Sequence, residues 1–367
     1  MRYHVAKSVL VNTTLLTISL IISLILMETA LRIYYFGSLS YSGKSVESKF
    51  WRYDAELGWA PAESSKGYYS NPFAGFKAYV EFDEKGLRST ANNYKRKNRS
   101  ILVVGDSTTA GLEVENNDTY AAVLERLLHE SGCKYTVYNA GVRGYGADQA
   151  YWRVMSLNSL QPDIVIYMFT GNDFEDNRTI KRGGRIYGKP AYTVSQQGLN
   201  IVNMPSQKFE KSYYSHIVYG DGGFRIVDGH IQLGNPGWEK IKTFIRNNLA
   251  MYYPMLNLYE QWVKHETIDT ESNTLKLDIL LLGNILQEMK EKMGKVVFTS
   301  FTNGEKGYSD DFLKLSNQLD IPYIDISDYF IGNSNNYHWK GDGHWNKVGH
   351  AMAGLALFEQ LKLSLCY

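Results

Sequence analysis

Four short segments of the sequence carry residues whose types could act together in one reaction. Ser107 lies in Gly-Asp-Ser-Thr, and His344 lies in Asp-Gly-His-Trp-Asn near the carboxy terminus. A serine hydroxyl becomes a nucleophile when an imidazole removes its proton, and that imidazole needs a carboxylate to orient it. His344 and Asp342 supply both groups, whereas His338 and His350 are less well placed but remain alternative bases. The chemistry that these residue types indicate is acyl transfer through a serine.

Two further segments could stabilise the negative oxygen that such a reaction creates. They are Asn139–Gly144 and Gly171–Asp173, which are rich in small and hydrogen-bonding residues. Ser107 would start a helix, where its own N–H and the positive helix end favour an oxyanion. Gly144 has no side chain to block a second N–H, and the Asn172 carboxamide can donate a third hydrogen bond. Each segment alone also fits an ordinary turn, so the combination carries the interpretation.

The elements that must position these residues alternate between strand and helix. Apolar, β-branched runs lie at 99–104, 135–138, 163–169, 295–301 and 322–326, and helical apolar spacing lies at 120–130, 148–160, 275–292, 311–319 and from 346 to about 361. This alternation predicts an α/β fold with a parallel sheet covered by helices on both faces. Ligands bind beyond the carboxyl ends of such strands, where we expect Ser107, Gly144 and Asn172.

The alternation is interrupted in the middle of the chain. Residues 178–269 contain hairpin-like stretches and a helix-like stretch at 238–264, and they predict an insertion over the functional edge of the sheet. Residues 38–98 are predicted to form a lead-in or linker with short strands, before a main domain at 99–367.

The amino terminus carries a candidate membrane anchor, predicted at 1–37. Val9–Met27 is uncharged and about as long as the roughly 20 residues that span a bilayer. Arg2 and Lys7 precede it, which predicts a cytoplasmic amino terminus. The rest of the chain would then be periplasmic or extracellular, on a single-pass membrane protein. A cleaved signal peptide is the alternative, but the apolar stretch is long and Glu28–Leu31 offers no typical cleavage site.

Composition excludes several other classes of function. The formal net charge of +1 argues against nucleic-acid binding, which usually needs a strongly basic surface. No metal site is expected, because His and acidic residues lack ligand spacing apart from Asp342 and His344. No cofactor is expected either, since phosphate-binding glycine motifs are missing from the sequence. Cys133 and Cys366 could form one bridge, but we expect two inert thiols.

Taken in order, the four segments resemble the SGNH/GDSL hydrolase family. The resemblance rests on Gly105–Ser107, Asn139–Gly144, Gly171–Asp173 and Asp342–His344, and it extends over 50–177 and 275–361. Gly86–Ser89, Thr109–Gly111 and Gly144–Gln149 are similar to membrane-anchored bacterial members. The resemblance implies a flavodoxin-like three-layer sandwich, the SGNH hydrolase fold, for the domain at 99–367.

The resemblance also implies a role for each site residue. Ser107 would be the nucleophile, His344 the general base and Asp342 its orienting acid. The oxyanion hole would combine Ser107, Gly144 and Asn172. The last segment reads Asp-x-His where the family more often has Asp-x-x-His. Two other acids, Asp325 and Asp328, are therefore alternative orienting groups.

The expected function is a serine esterase that removes acyl groups, above all acetyl, from an extracytoplasmic glycan or another ester. One alternative is a glycan O-acetyltransferase with the same serine, histidine and aspartate. Such an enzyme would need a membrane partner that supplies the acyl donor, because one transmembrane helix cannot carry the donor across. The other alternative is a non-catalytic glycan-binding relative.

Overall fold

The computed structural model describes residues 2–36, 50–71, 74–90, 99–181, 187–195, 198–208, 214–220, 223–229, 245, 248–251, 255, 272–302, 306–330, 332–340 and 342–366. It divides into two compact units. The larger comprises Val46–Gln232 and Asp269–Tyr367, and the smaller comprises Met1–Ser45 and Leu233–Ile268.

The strands within the described residues are β1 (Trp51–Asp54), β2 (Gly58–Pro61), β3 (Lys66–Asn71), β4 (Phe76–Glu81), β5 (Arg99–Gly105), β6 (Tyr135–Asn139), β7 (Ile164–Thr170), β8 (Thr179–Lys181), β9 (Ala191–Ser195), β10 (Gly198–Val202), β11 (Tyr214–Gly220), β12 (Gly223–Gly229), β13 (Val296–Phe301) and β14 (Tyr323–Asp325). The helices there are α1 (Arg2–Phe36), α2 (Ser107–Ala110), α3 (Tyr120–Glu130), α4 (Ala147–Ser156), α5 (Asp173–Arg178), α6 (Ser272–Met293), α7 (Lys306–Leu319) and α8 (Lys347–Cys366).

A parallel sheet of five strands forms the centre of the larger unit, in the order β14-β13-β7-β5-β6. Successive side chains of a strand point to opposite faces, and β5 is apolar on both. Ile101 and Val103 pack in the core with α3 and α8. Leu102 and Val104 pack with α4, α6 and α7 on the other face. The predicted three-layer α/β fold is therefore confirmed.

The predicted elements of the sheet domain all occur, and the differences lie at their ends. Helix α4 ends at Ser156, and Gln161 adopts a left-handed conformation after a short 3₁₀ turn at Asn158–Leu160. Helix α7 starts at Lys306, five residues before the predicted start at 311, because its first turn is polar and lacks the apolar spacing.

The segment before the sheet folds into two antiparallel hairpins, β1–β2 and β3–β4. Trp59 and Val80 of these hairpins, with Phe82 directly after β4, form a buried cluster with Leu112 after α2 and Val142 after β6. Of the lead-in predicted at 38–98, residues 38–49, 72–73 and 91–98 lie outside the described residues. The hairpins thus pack beside the loops at the carboxyl ends of β5 and β6.

Two hairpins, β9–β10 and β11–β12, lie in the predicted insertion at 178–269. Strand β11 also pairs with β8, which makes an antiparallel sheet in the order β12-β11-β8. Most of the helix predicted at 238–264 lies outside the described residues.

Cys133 and Cys366 form a disulfide, with their Cα atoms 5.3 Å apart, so the expectation of two free thiols is wrong. The two cysteines are 233 residues apart in sequence, and nothing local indicates that they meet. They meet because α8 packs beside α3 on one face of the sheet, which brings the end of α8 to the turn after α3.

The smaller unit contains helix α1, whose stretch Val9–Tyr34 is long and apolar enough to cross a membrane. Its apolar side chains are exposed in the structure, as those of Leu16 and Leu26 illustrate. A signal sequence has the same length and composition, so the helix is a candidate span. Near its end, the Glu28 carboxylate accepts hydrogen bonds from the N–H groups of Ala250 and Met251 at 2.7 and 3.0 Å.

Candidate active site

Ser107 is the first residue of α2 and lies directly beyond β5. The turn that places it there requires a glycine at Gly105, where a Cβ would come within 2.4 Å of Thr109 Oγ1 and 2.8 Å of Met168 O. Asp106 caps the helix by accepting a hydrogen bond from the Thr108 N–H at 2.8 Å. The Ser107 hydroxyl, which is partly exposed, donates to Asp106 Oδ2 at 3.3 Å.

The loop after β6 packs tightly against α2. Asn139 Nδ2 donates to Thr109 O at 2.8 Å, and Asn139 Oδ1 accepts from the Gly141 N–H at 3.0 Å. A Cβ on Gly141 would lie 2.3 Å from the Ala110 nitrogen, so only glycine allows this approach. Gly144 follows with φ of +72°, a left-handed conformation that favours glycine.

Asn172 lies just beyond β7 and is exposed. Its Nδ2 donates to Asp176 Oδ2 at 2.8 Å, and its Oδ1 accepts from Thr170 Oγ1 at 3.1 Å. One of the two carboxamide N–H groups is therefore held by Asp176. The neighbouring Asp173 is buried beneath, and burial together with the charges of Asp106 and Asp176 raises its pKa well above the usual range. The Asp173 carboxyl supports the loop by accepting hydrogen bonds from the hydroxyl groups of Tyr167 and Thr170.

His344 lies in the loop between β14 and α8, and its Nδ1 is 2.5 Å from Asp342 Oδ1. The second oxygen of Asp342 accepts from Asn71 Nδ2 of β3 at 3.1 Å. Burial raises the pKa of Asp342, but the hydrogen bond to His344 and the charges of His344 and Arg143 outweigh burial and lower it. Asp342 is therefore a carboxylate that can orient the imidazole.

Two charged residues beside His344 were not among the residues singled out from the sequence. Glu113 Oε1 lies 3.7 Å from His344 Nδ1, and Arg143 Nη1 lies 2.7 Å from the same Glu113 oxygen. Arg143 also donates to the hydroxyl of Tyr69 in β3 at 3.0 Å. The sequence feature that could have identified Glu113 is an acidic residue within the apolar run Gly-Leu-Glu-Val, six residues after Ser107.

Burial and the neighbouring charges shift the pKa of His344 in opposite directions. Burial lowers the pKa of His344, and the positive charge of Arg143 lowers it further. The Glu113 and Asp342 carboxylates outweigh both effects, so that the pKa of His344 is raised above its ordinary value of 6.5. The imidazolium form is thereby stabilised.

The structure brings some of the predicted site residues into contact and leaves others apart. His344 and Asp342 form a hydrogen bond, and His344 reaches the segment after Ser107 through Glu113. Among the described residues, Ser107 and His344 form no hydrogen bond with each other, and such contacts often tighten only when substrate binds.

The alternative residues make other contacts. His350 is buried, accepts a hydrogen bond from the Tyr120 N–H at 3.2 Å, and has a pKa lowered to about 3 by burial and by the nearby Arg88 and His344 charges. His338 Nδ1 lies 3.2 Å from Ser334 O. Asp325 accepts hydrogen bonds from Ser309 Oγ and from the Ser327 N–H.

Glu113, Asp342 and His344 place one ligand-type atom each within 4.8 Å of one another, an arrangement that could hold a metal ion. The Arg143 guanidinium disfavours this, because it already occupies the Glu113 carboxylate with a positive charge. The donor set therefore suits proton transfer better than cation binding.

Comparison with known proteins finds one family. Residues 103–207 match the model of the GDSL-like lipase/acylhydrolase family. The matched region contains Ser107, Gly144 and Asn172 and ends before Asp342 and His344. No curated protein matches the chain.

Solved structures with a similar fold include several esterases. TesA is 13% identical, with a TM-score of 0.40, and the match covers 72% of this chain and 99% of that one. The psychrotrophic esterase EstA from Pseudoalteromonas sp. is 10% identical, with a TM-score of 0.39 and coverages of 74% and 100%. A two-domain esterase, CEX, active on acetylated mannans, is 13% identical, with a TM-score of 0.37 and coverages of 73% and 50%.

Proposed function

We propose that this chain, whose residues 103–207 match the model of the GDSL-like lipase/acylhydrolase family, is an SGNH-type ester hydrolase that removes acetyl groups from an extracytoplasmic glycan. The observation that carries the proposal is the His344–Asp342 hydrogen bond, held through Glu113 beside the segment that follows Ser107.

In the proposed reaction, Ser107 Oγ attacks the acyl carbon while its proton passes to His344 Nε2. Asp342 holds the proton on Nδ1 and stabilises the imidazolium that forms. The negative oxygen of the tetrahedral intermediate accepts hydrogen bonds from the N–H groups of Ser107 and Gly144 and from the Asn172 carboxamide. The carbonyl re-forms as the carbon–oxygen ester bond breaks, and His344 returns the proton to the leaving sugar hydroxyl. Water then hydrolyses the acyl-serine by the same steps.

The proposed location is the outer side of a membrane, with residues 1–37 as anchor and 38–98 as lead-in. The hydrolase-like domain would be 99–367, with its insertion at 178–269. Two observations support an outer location. The stretch Val9–Tyr34 is long enough to span a bilayer and follows Arg2 and Lys7. The Cys133–Cys366 disulfide is also typical of proteins in oxidising compartments.

The substrate proposal follows from location and chemistry. Acyl esters on polysaccharides occur outside the cytoplasm, where the proposed orientation places Ser107. A single acetyl group also demands little apolar surface for the acyl chain, and the sugar would supply the remaining contacts.

The experiment uses the full chain in detergent micelles with p-nitrophenyl acetate, in the presence and absence of an acetylated or unacetylated glycan. We expect release of p-nitrophenol and of acetate from the glycan, both lost in Ser107→Ala. Transfer of acetyl to the unacetylated glycan would instead indicate an O-acetyltransferase. Failure to detect an acyl-enzyme by mass spectrometry at any pH, together with no turnover, would contradict the proposal and favour a glycan-binding relative.

A further inference from the structure

We propose that Glu113 is a second acidic positioning residue for His344, and that it links the base to Arg143 in the loop that carries Gly144. This inference rests on the proposed esterase function, because it assigns Glu113 a part in the same proton transfer. The geometry that supports it is the approach of one Glu113 oxygen to both His344 Nδ1 and Arg143 Nη1, at 3.7 and 2.7 Å.

The burial of Glu113 shows that its charge must be compensated. Its side chain is 1% exposed, whereas the Arg143 side chain is 19% exposed. A buried carboxylate without a partner is strongly destabilising, and the ion pair with Arg143 is sufficient to compensate the charge of Glu113. The ion pair with Arg143 does not require Glu113 to lie near His344. Its position nevertheless places a second negative charge beside the imidazole nitrogen that already contacts Asp342.

Arg143 connects this charge pair to the neighbouring structure. Its side chain donates to the Tyr69 hydroxyl, and its backbone carbonyl accepts from Trp59 Nε1 at 3.0 Å. Gly144 is the next residue along the chain. The position of Arg143 is thus set by the two hairpins before the sheet, and Glu113 connects that position to His344.

The charges around His344 come from four parts of the chain. They are Asp342 and His338 in its own loop, Glu113 after α2, Arg143 after β6 and His350 in α8. Asp342 and Glu113 favour the imidazolium, and Arg143 opposes it. Replacing Glu113 by a neutral residue therefore lowers the pKa of His344, while replacing Arg143 by a neutral residue raises it.

The test compares Glu113→Gln with Glu115→Gln in the full chain. Glu115 is a matched control, because it lies two residues away and binds the Tyr79 N–H rather than His344. In Glu113→Gln, we expect the acidic limb of kcat/KM to move down by on the order of 1 pH unit. We also expect kcat to fall roughly tenfold, because the imidazolium formed in the reaction loses a stabilising charge. Glu115→Gln should leave the limb unchanged.

A second measurement does not depend on turnover. Histidine NMR titration in the Ser107→Ala protein should give a lower pKa for His344 in Glu113→Gln and a higher one in Arg143→Gln. These opposite shifts keep the inference testable if one variant folds poorly.

Unchanged titration of His344 in both variants would overturn the inference even if the wild type is an esterase. Equal shifts in the Glu115→Gln control would overturn it as well. If the wild type has no activity while the NMR shifts occur, the proposed function fails but the electrostatic role of Glu113 stands.

Discussion

The imidazole of His344 lies beside two carboxylates and one guanidinium, and the charges of these three groups shift its pKa. Asp342 contacts Nδ1 at 2.5 Å, and Glu113 lies 3.7 Å from the same atom. The net effect raises the pKa of His344. A general base with a raised pKa is fully available only at higher pH, so the expected kcat/KM rises with pH through a midpoint above 6.5.

Substitution of His344 and His338, one at a time, tests which histidine acts as the general base. We expect His344→Ala to reduce kcat by about four orders of magnitude or more, since the serine then has no base. His338→Ala should keep most of the activity, because its imidazole lies 3.2 Å from Ser334 O in its own loop and, among the described residues, forms no hydrogen bond with Ser107 or Asp342. The measurement is kcat for p-nitrophenyl acetate with the circular dichroism of each variant as a folding control. Retained activity in His344→Ala would refute its role as base.

Asp176 sets the orientation of the Asn172 carboxamide through a hydrogen bond of 2.8 Å. We expect Asp176→Ala to lower kcat roughly tenfold with little change in KM, because a misaligned donor weakens only the transition state. Asn172→Ala should cost about 10²–10³ in kcat.

The exposed neighbour Glu175 provides the matched control, and Glu175→Ala should leave kcat unchanged. A rise in KM with unchanged kcat in Asp176→Ala would mean that Asp176 helps to bind the substrate instead of orienting Asn172.

Among the secondary-structure elements, α8 joins the candidate base to the core. Its amino-terminal end follows the His344 loop, and its far end carries Cys366 in the disulfide with Cys133. Ala353, Leu357 and other apolar residues of α8 pack with α3 on the sheet. Loosening of the far end would therefore affect stability before it affects the position of His344.

We expect Cys133→Ser with Cys366→Ser to lower the free energy of unfolding by roughly 2–5 kcal/mol, because the unfolded chain gains freedom when the cross-link is removed. Activity at low temperature should persist. Urea unfolding of the wild type, with and without dithiothreitol, measures the effect. Dithiothreitol should not change the free energy of unfolding of the double variant. A change in that variant would show that dithiothreitol destabilises the protein by a route other than reduction of this disulfide.

The elements were predictable from sequence, whereas several contacts between them were not. The runs around Ile101 and Ile166 are apolar on both faces of a strand, and that pattern is local. By contrast, the Cys133–Cys366 bridge and the approach of Glu113 to His344 join residues more than 200 positions apart. Apolar periodicity predicts individual helices and strands. It does not predict which distant residues meet, because the packing of the elements against one another decides that.

For the whole molecule, orientation across a membrane is the main expectation. We expect alkaline phosphatase fused after Tyr367 to be active in a bacterial host, and green fluorescent protein at the same position to remain dark. The reason is the pair of cations, Arg2 and Lys7, before the apolar stretch. The opposite reporter pattern would place the proposed active site in the cytoplasm and would remove the argument for an extracytoplasmic glycan.

Contacts at the carboxyl end of α1 would be lost if a leader peptidase cut the helix from the rest of the smaller unit. Glu28 accepts the N–H groups of Ala250 and Met251 and pairs with Arg32 at 2.7 Å. A cut on the carboxyl side of Glu28 would remove the acceptor for both N–H groups, at about 1–3 kcal/mol for each one that stays buried. Retention of α1 therefore keeps both acceptor oxygens of Glu28 on the Ala250–Met251 turn, so the helix supports the fold of its unit through contacts that need no membrane.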